Sequence, residues 1–129
     1  MRLLLDTHAL LWWVFADPKL SRAARMAIAD DQENEVLVSA VSAWEITTKY
    51  RIGKLPDAAV VANDVAGAVT AEGFDELPIS LAHAQRGGSL TGRLRDPFDR
   101  MLIAQALIEQ LTLVSNERAF DAYGVVRLW

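Results

Sequence analysis

Asp6 directly follows the apolar run Leu3, Leu4, Leu5, and Glu45 lies inside SAVSAWEI. Asp96 and Asp99 stand three residues apart in RDPFDR, and Asn116 and Glu117 follow LTLVS. Carboxylate and amide oxygens of this kind, gathered at one point with water, suit a hard divalent cation such as Mg²⁺ or Mn²⁺. Each residue also has a plainer role. Asp6 can cap a helix starting at Thr7, and Glu45 can complete a capping box with Ser42 or pair with Lys49 one turn on. Asp96 before Pro97 is a strong helix start, with Asp99 placed to close something near a capping box. Asp6 is the hardest to explain that way alone. A carboxylate behind three leucines is partly buried, which is costly unless it is paired or bound to metal. Metal chemistry therefore requires that the fold bring Asp6, Glu45 and Asp99 together, with Asp96, Asn116 and Glu117 as further candidate ligands.

Other chemistries have less to stand on. The chain has no cysteine, so thiol nucleophiles, thiolate metal sites and disulfides are excluded. His8 and His83 have no second histidine at ligand spacing, so no zinc site is read from them. Neither a glycine-rich phosphate loop nor a G-x-S-x-G elbow is present. Trp12, Trp13 and Trp44 read as core or interface residues rather than base-stacking platforms. Arg86, Arg93, Arg95 and Arg100 cluster around the RDPFDR acids, either as guides for a phosphate backbone or as a solvated loop.

The elements that must position these groups alternate. RLLLD reads as a buried strand ending at Asp6, THALLWWVF as a helix, and Ser21 as the cap of a helix over residues 22–30. EVLVSA is a second strand, followed by a helix over VSAWEITTKYRIGKL. One helix is expected across DAAVVANDVAGAVTAEG, stopped at Gly73, then at most a short strand in FDELPI. SLAHAQR is a helix capped by Ser80, GGSLTGR a loop, and DPFDRMLIAQALIEQ the strongest helix in the chain. LTLVS, a brief helical turn over residues 116–120 and the strand VVRLW complete it. Alternation of this kind predicts a three-layer α/β/α sandwich around a mostly parallel sheet, with sites beyond the carboxyl ends of the strands.

Composition sets limits on this scheme. A length of 129 residues predicts one domain over 1–129 with a single core. The hydrophobic fraction of 52% is high for such a chain and points to a sheet buried on both faces or to an apolar homodimer interface. A net charge of −4 argues against polyanion binding over the whole surface while leaving room for a local basic rim. Asp6 and His8 interrupt the apolar N-terminal stretch, and no apolar run reaches the ~18 residues of a membrane span, so the expectation is a cytoplasmic protein.

Taken together, LLLDTHALLWW, SAVSAWEI, RDPFDRMLIAQA and LTLVSNERAF resemble the PIN domain, in the group of VapC-like ribonuclease toxins of type II toxin–antitoxin systems. The resemblance runs across nearly the whole chain. It implies a metal-dependent endoribonuclease acting on RNA with Mg²⁺ or Mn²⁺, and a cognate antitoxin partner. Asp6, Glu45 and Asp99 match the family's acids, and Thr7 its usual hydroxyl beside the first. Asp96 matches an acid common in the DPFDR group, and Asn116 and Glu117 fall near the fourth acidic position. Two departures stand out: Leu94 where relatives often have histidine, and Asn116 where many have aspartate. A catalytically inactive PIN-like binding module is the alternative. An aspartyl phosphoryl-transfer domain of the receiver or phosphatase kind fits less well, because Asp6 lacks an acidic neighbour and Lys19, Lys49 and Lys54 are the only lysines.

Overall fold

A computed structural model describes all residues, from Met1 to Trp129. Five parallel strands form one sheet in the order β3-β2-β1-β4-β5: β1 (Arg2–Leu5), β2 (Glu35–Ser39), β3 (Asp75–Leu77), β4 (Thr112–Val114) and β5 (Val126–Leu128). β1 is central, and Leu3, Leu4 and Leu5 are completely buried because both faces of the sheet are covered. Successive side chains of a strand point to opposite faces. Leu3 and Leu5 accordingly join Val36, Val38 and Val114 under helices α1 (Thr7–Val14) and α2 (Arg22–Ala29). Leu4, Leu37 and Leu113 meet Leu102, Ile103 and Ala106 of helix α7 (Pro97–Glu109) on the other face. These layers are the α/β/α sandwich that the alternating pattern predicts, and they account for the apolar composition.

Most helix starts lie where the capping residues place them. Ser21 accepts from the Ala24 N–H at 3.1 Å, and Ser80 accepts from the His83 N–H at 3.1 Å. Helix α3 (Ala40–Arg51) is capped by Ser39, one residue earlier than the sequence pattern predicts. Residues 57–73 do not form one helix. They divide into a 3-10 turn (Pro56–Ala58), α4 (Ala59–Ala62) and α5 (Val65–Ala71), because the Asp64 carboxylate caps a new helix at the Gly67 N–H, 2.9 Å away. An Asn-Asp pair is a stronger helix start than the surrounding alanines and valines can override. Helix α6 (Leu81–Ser89) runs past Arg86 into the expected loop, where Gly87 is buried against α7.

The segment between α6 and α7 is held from inside. The Arg100 guanidinium donates to the carbonyls of Gly87 at 3.0 Å, Leu94 at 2.7 Å, Gly88 at 3.4 Å and also Leu90. Gly92 adopts φ +104, and a Cβ there would lie 2.7 Å from the Tyr123 hydroxyl, which accepts from the Leu94 N–H. Arg100 is thus the clamp that delivers Arg95 and Asp96 to the start of α7. Its donors face the protein and are not available to phosphate, which corrects the sequence expectation for this arginine. The Arg100→Ala variant should lose about 2–3 kcal/mol in urea denaturation, since charged hydrogen bonds and stranded carbonyls are both involved. Arg100→Lys should recover less than half, because an ammonium cannot match the fork of a guanidinium.

Candidate metal centre at the carboxyl edge of the sheet

Asp6 ends β1, and its own backbone ties it to the neighbouring strand, its N–H donating to the Val114 carbonyl at 3.0 Å. Its Oδ1 accepts from the Ala9 N–H at 2.7 Å, so the helix-cap role is real and occupies one oxygen. The residue is only 5% exposed. Burial pushes its carboxyl up from the ordinary range, against hydrogen bonds from Ser115 and Ala9, and the charge of Glu45 adds to the rise. Ser115, fully buried, follows the last paired residue of β4 and lies level with Asp6. The sequence reading missed it. The available signal was that it closes an apolar strand run as Asp6 does.

Glu45 is buried one and a half turns into α3, too far along to cap it. The Thr7 hydroxyl donates to its Oε1 at 2.6 Å, and Ser42 Oγ lies 3.0 Å from Thr7 Oγ1, where it can donate in turn. On the other side, the Lys49 ammonium donates to Oε2. Burial alone would lower the pKa of Lys49. The bond to Glu45 and the charges of Asp96 and Asp99 outweigh that and hold it above the ordinary lysine value. The Glu45–Lys49 pairing weighed from the sequence is therefore present, and it sits inside the acid cluster.

The two acids of RDPFDR divide. Asp96 caps α7, its Oδ1 accepting from the N–H groups of Phe98 at 2.8 Å and Asp99 at 3.3 Å. Asp99 does not close a capping box, and its carboxylate accepts no hydrogen bond. Burial and the charges of Asp96, Glu45, Asp6 and Glu117, in that order, raise its pKa to about 7. Four carboxylates from four segments thus act on a fifth. Asn116 is exposed and makes no side-chain hydrogen bond, one residue beyond the level of Asp6.

The fold brings Asp6, Glu45, Asp96, Asp99 and Glu117 into one electrostatic neighbourhood, but no three of them form a finished metal shell. Glu45 explains part of this, since both of its oxygens are engaged, by Thr7 and by Lys49. Arg86, Arg93 and Arg95 are exposed, and the first two line an open groove of about 720 Å³ with Leu90, Leu94 and Tyr123. His83 is a satisfied core residue: its Nδ1 accepts from the Ser80 N–H at 3.0 Å and its Nε2 lies 2.8 Å from Glu109. No helix is long and apolar enough to cross a membrane.

Comparison with known proteins places this fold. Over 57 residues the chain is 42% identical to ribonuclease VapC16 of Mycobacterium tuberculosis; the match covers 44% of this chain and only 40% of that relative. The fold superposes on VapBC2 of Rickettsia felis, solved bound to a DNA fragment from their promoter, with a TM-score of 0.70, 15% identity and coverage of 98% and 97% of the two chains. It superposes on VapC20 of Mycobacterium tuberculosis, a sarcin–ricin loop cleaving toxin, with a TM-score of 0.68, 16% identity and 96% coverage of each chain. FitAcB from Neisseria gonorrhoeae gives a TM-score of 0.65 at 17% identity, covering 97% and 95%. At these identities the structural likenesses establish the fold alone. The family model for the PIN domain matches residues 3–126, nearly the full length, and the chain belongs to the PIN domain family.

Proposed function

We propose that the protein is a metal-dependent endoribonuclease and the toxin of a type II toxin–antitoxin pair. The observation that carries this reading is the crowding around Asp99, a carboxylate raised to about 7 by burial and then by four neighbouring acids, with the Lys49 ammonium paired to one of them. Such an excess of negative charge at the carboxyl ends of parallel strands fits a hard divalent cation. Asp6, Glu45 and Asp99 are the proposed ligands, with Asp96 and Glu117 flanking them. A bound Mg²⁺ or Mn²⁺ supplies the charge that lets a phosphodiester and an attacking water approach this acidic surface.

The chain's own residues do the rest. Thr7 fixes the rotamer of Glu45, and Ser42 fixes Thr7. Ser115 and the first turn of α1 hold Asp6. Asp96 anchors the start of α7, so that Asp99 faces the cluster without a competing hydrogen bond. Arg93 and Arg95, exposed on the segment clamped by Arg100, are the proposed contacts to the RNA backbone. An antitoxin that covers this surface is proposed from the similarity to VapBC2 and FitAcB. A homodimer is proposed from the apolar composition and from exposed Phe15 and Val60. One observation favours a second reading, binding without turnover: Lys49 already neutralises Glu45.

Cleavage of a labelled RNA separates the two. The parent should cut in Mg²⁺ or Mn²⁺ and stop on chelation. Asp6→Asn and Asp99→Asn should lose at least ~100-fold of the rate, while Asp96→Asn, which keeps a good cap, should lose only part. A parent that binds RNA but never cuts it establishes the second reading.

A pH effect follows from Asp99. Its folded pKa of about 7 lies above its ordinary 3.8, so the folded state binds more protons between those values and stability falls as pH rises through that window. Without metal, Asp99→Asn should therefore melt roughly 3–5 °C above the parent at pH 8, the shift of about 1 kcal/mol after allowance for solvent screening. At pH 4 the two should melt together. Equal melting at both pH values would show that Asp99 is not under strain from its neighbours.

The arginines give a separate expectation. Replacing Arg93 and Arg95 together with alanine should weaken RNA binding at low salt and lower the slope of log K against log salt by roughly 1.4 if each meets one phosphate of a single strand. An unchanged slope would make this segment a solvated loop.

A further inference from the structure

Trp44 is not a core residue, the first of the two roles the sequence suggested for the tryptophans. Trp12 and Trp13 pack against the core, but Trp44 is 61% exposed, immediately before buried Glu45. Its ring centroid lies 5.2 Å from that of Phe98 at an interplanar angle of 81°, an edge-to-face contact. Phe98 in turn precedes Asp99. The two rings thus form a ledge between α3 and α7, joined to the acids at both ends. Lys49 connects them directly, its Nζ touching Glu45 and lying 5.9 Å from the Phe98 centroid.

We propose that Trp44 stacks an unpaired nucleobase of the RNA strand whose backbone crosses the acid cluster. The inference rests on the nuclease reading above, and it names what the substrate must present: a single-stranded segment with at least one base turned out of its stack. The ledge itself supports this occupant. Phe98 holds the indole in place, so an incoming base meets a pre-ordered flat surface. The exposed residues that follow Trp44 along α3 are Thr47 and Arg51, at the spacing of one helix face. Arg51 makes no ion pair. An amphipathic partner helix needs a continuous apolar stripe, and here Thr47 and Arg51 interrupt the face between Trp44 and exposed Ile52 at the end of α3. An aromatic ring beside a hydroxyl and a free guanidinium is instead the equipment of single-strand recognition, with stacking for the base and charge for the phosphates.

Position adds a reason of its own. A strand that threads its phosphate between Asp6, Glu45 and Asp99 must place the adjoining bases within reach of the residues flanking those acids. Trp44 and Phe98 are the aromatic flanks of Glu45 and Asp99, and of these two only Trp44 is largely open to solvent. Stacking tolerates every base, so the ledge selects for unpaired structure rather than for a sequence.

The test uses a short fluorescent single-stranded RNA of mixed sequence and a duplex of the same sequence. Binding is read by anisotropy in the Asp99→Asn background, and cleavage in the parent. Trp44→Ala should weaken single-strand binding on the order of tenfold, lower the melting temperature by at most a few degrees as the Phe98 contact is lost, and leave Mn²⁺ affinity unchanged, while Trp44→Phe should recover most of the binding loss. Removing one base at successive RNA positions should find a position that reproduces the loss and costs nothing further in Trp44→Ala. The inference is overturned if Trp44→Ala binds and cuts like the parent, if every abasic position costs the same with and without the indole, or if the variant alters only self-association or binding to a protein partner. A parent that cuts no RNA in any metal removes the nuclease reading and this inference with it. A parent that cuts while Trp44→Ala is indistinguishable from it removes the inference alone.

Discussion

Like charges crowd the carboxyl edge of the sheet, and the rest of the site is arranged around that repulsion. Asp6, Glu45, Asp96 and Glu117 all press on Asp99, and burial of Asp6 and Glu45 prevents water from screening them fully. The fold tolerates the crowding because three of the five carboxylates are held by local donors. Asp6 and Asp96 each give one oxygen to a helix N-terminus, and Glu45 gives one to Thr7 and one to Lys49. Asp99 receives nothing. Burial and the four neighbouring charges therefore act on it unopposed and raise its pKa to about 7.

That division links architecture to chemistry. β1 is central and its Leu3, Leu4 and Leu5 are buried on both faces, so the polar Asp6 falls just beyond the strand at the edge, with one oxygen on the first turn of α1. α7 can start only where a cap and Arg100 hold the preceding segment, and the same start fixes where Asp99 points. Lys49 gives the metal-free protein a cation inside the cluster. A ligand competing for Glu45 must displace it, which ties cation binding to a rearrangement on α3.

Much of this was legible in the residues. The apolar run ending at Asp6 and the Asp-Pro-x-Asp helix start specify local structure strongly enough to place two acids before any tertiary contact is known. The order of strands and helices then places Glu45 near the same edge. What escaped the sequence depends on contacts between distant segments. Arg100 reads as a surface arginine until residues 87–94 fold back over it and present their carbonyls. Ser115, not Asn116, stands level with Asp6 because strand register decides it. Trp44 looks like core by type, and only the packing of α3 against α7 leaves it open. The break at Asp64 was visible as a cap signal and was outweighed by the helical composition around it.

As proposed, these carboxylates receive a divalent cation at the edge of the sheet. Crystals soaked in Mn²⁺ and measured at the manganese absorption edge address it directly. One anomalous peak is expected within coordination distance of Asp6, Glu45 and Asp99, with the Lys49 ammonium withdrawn from Glu45. A peak elsewhere on the surface, or none at saturating Mn²⁺ with Lys49 still on Glu45, would contradict it.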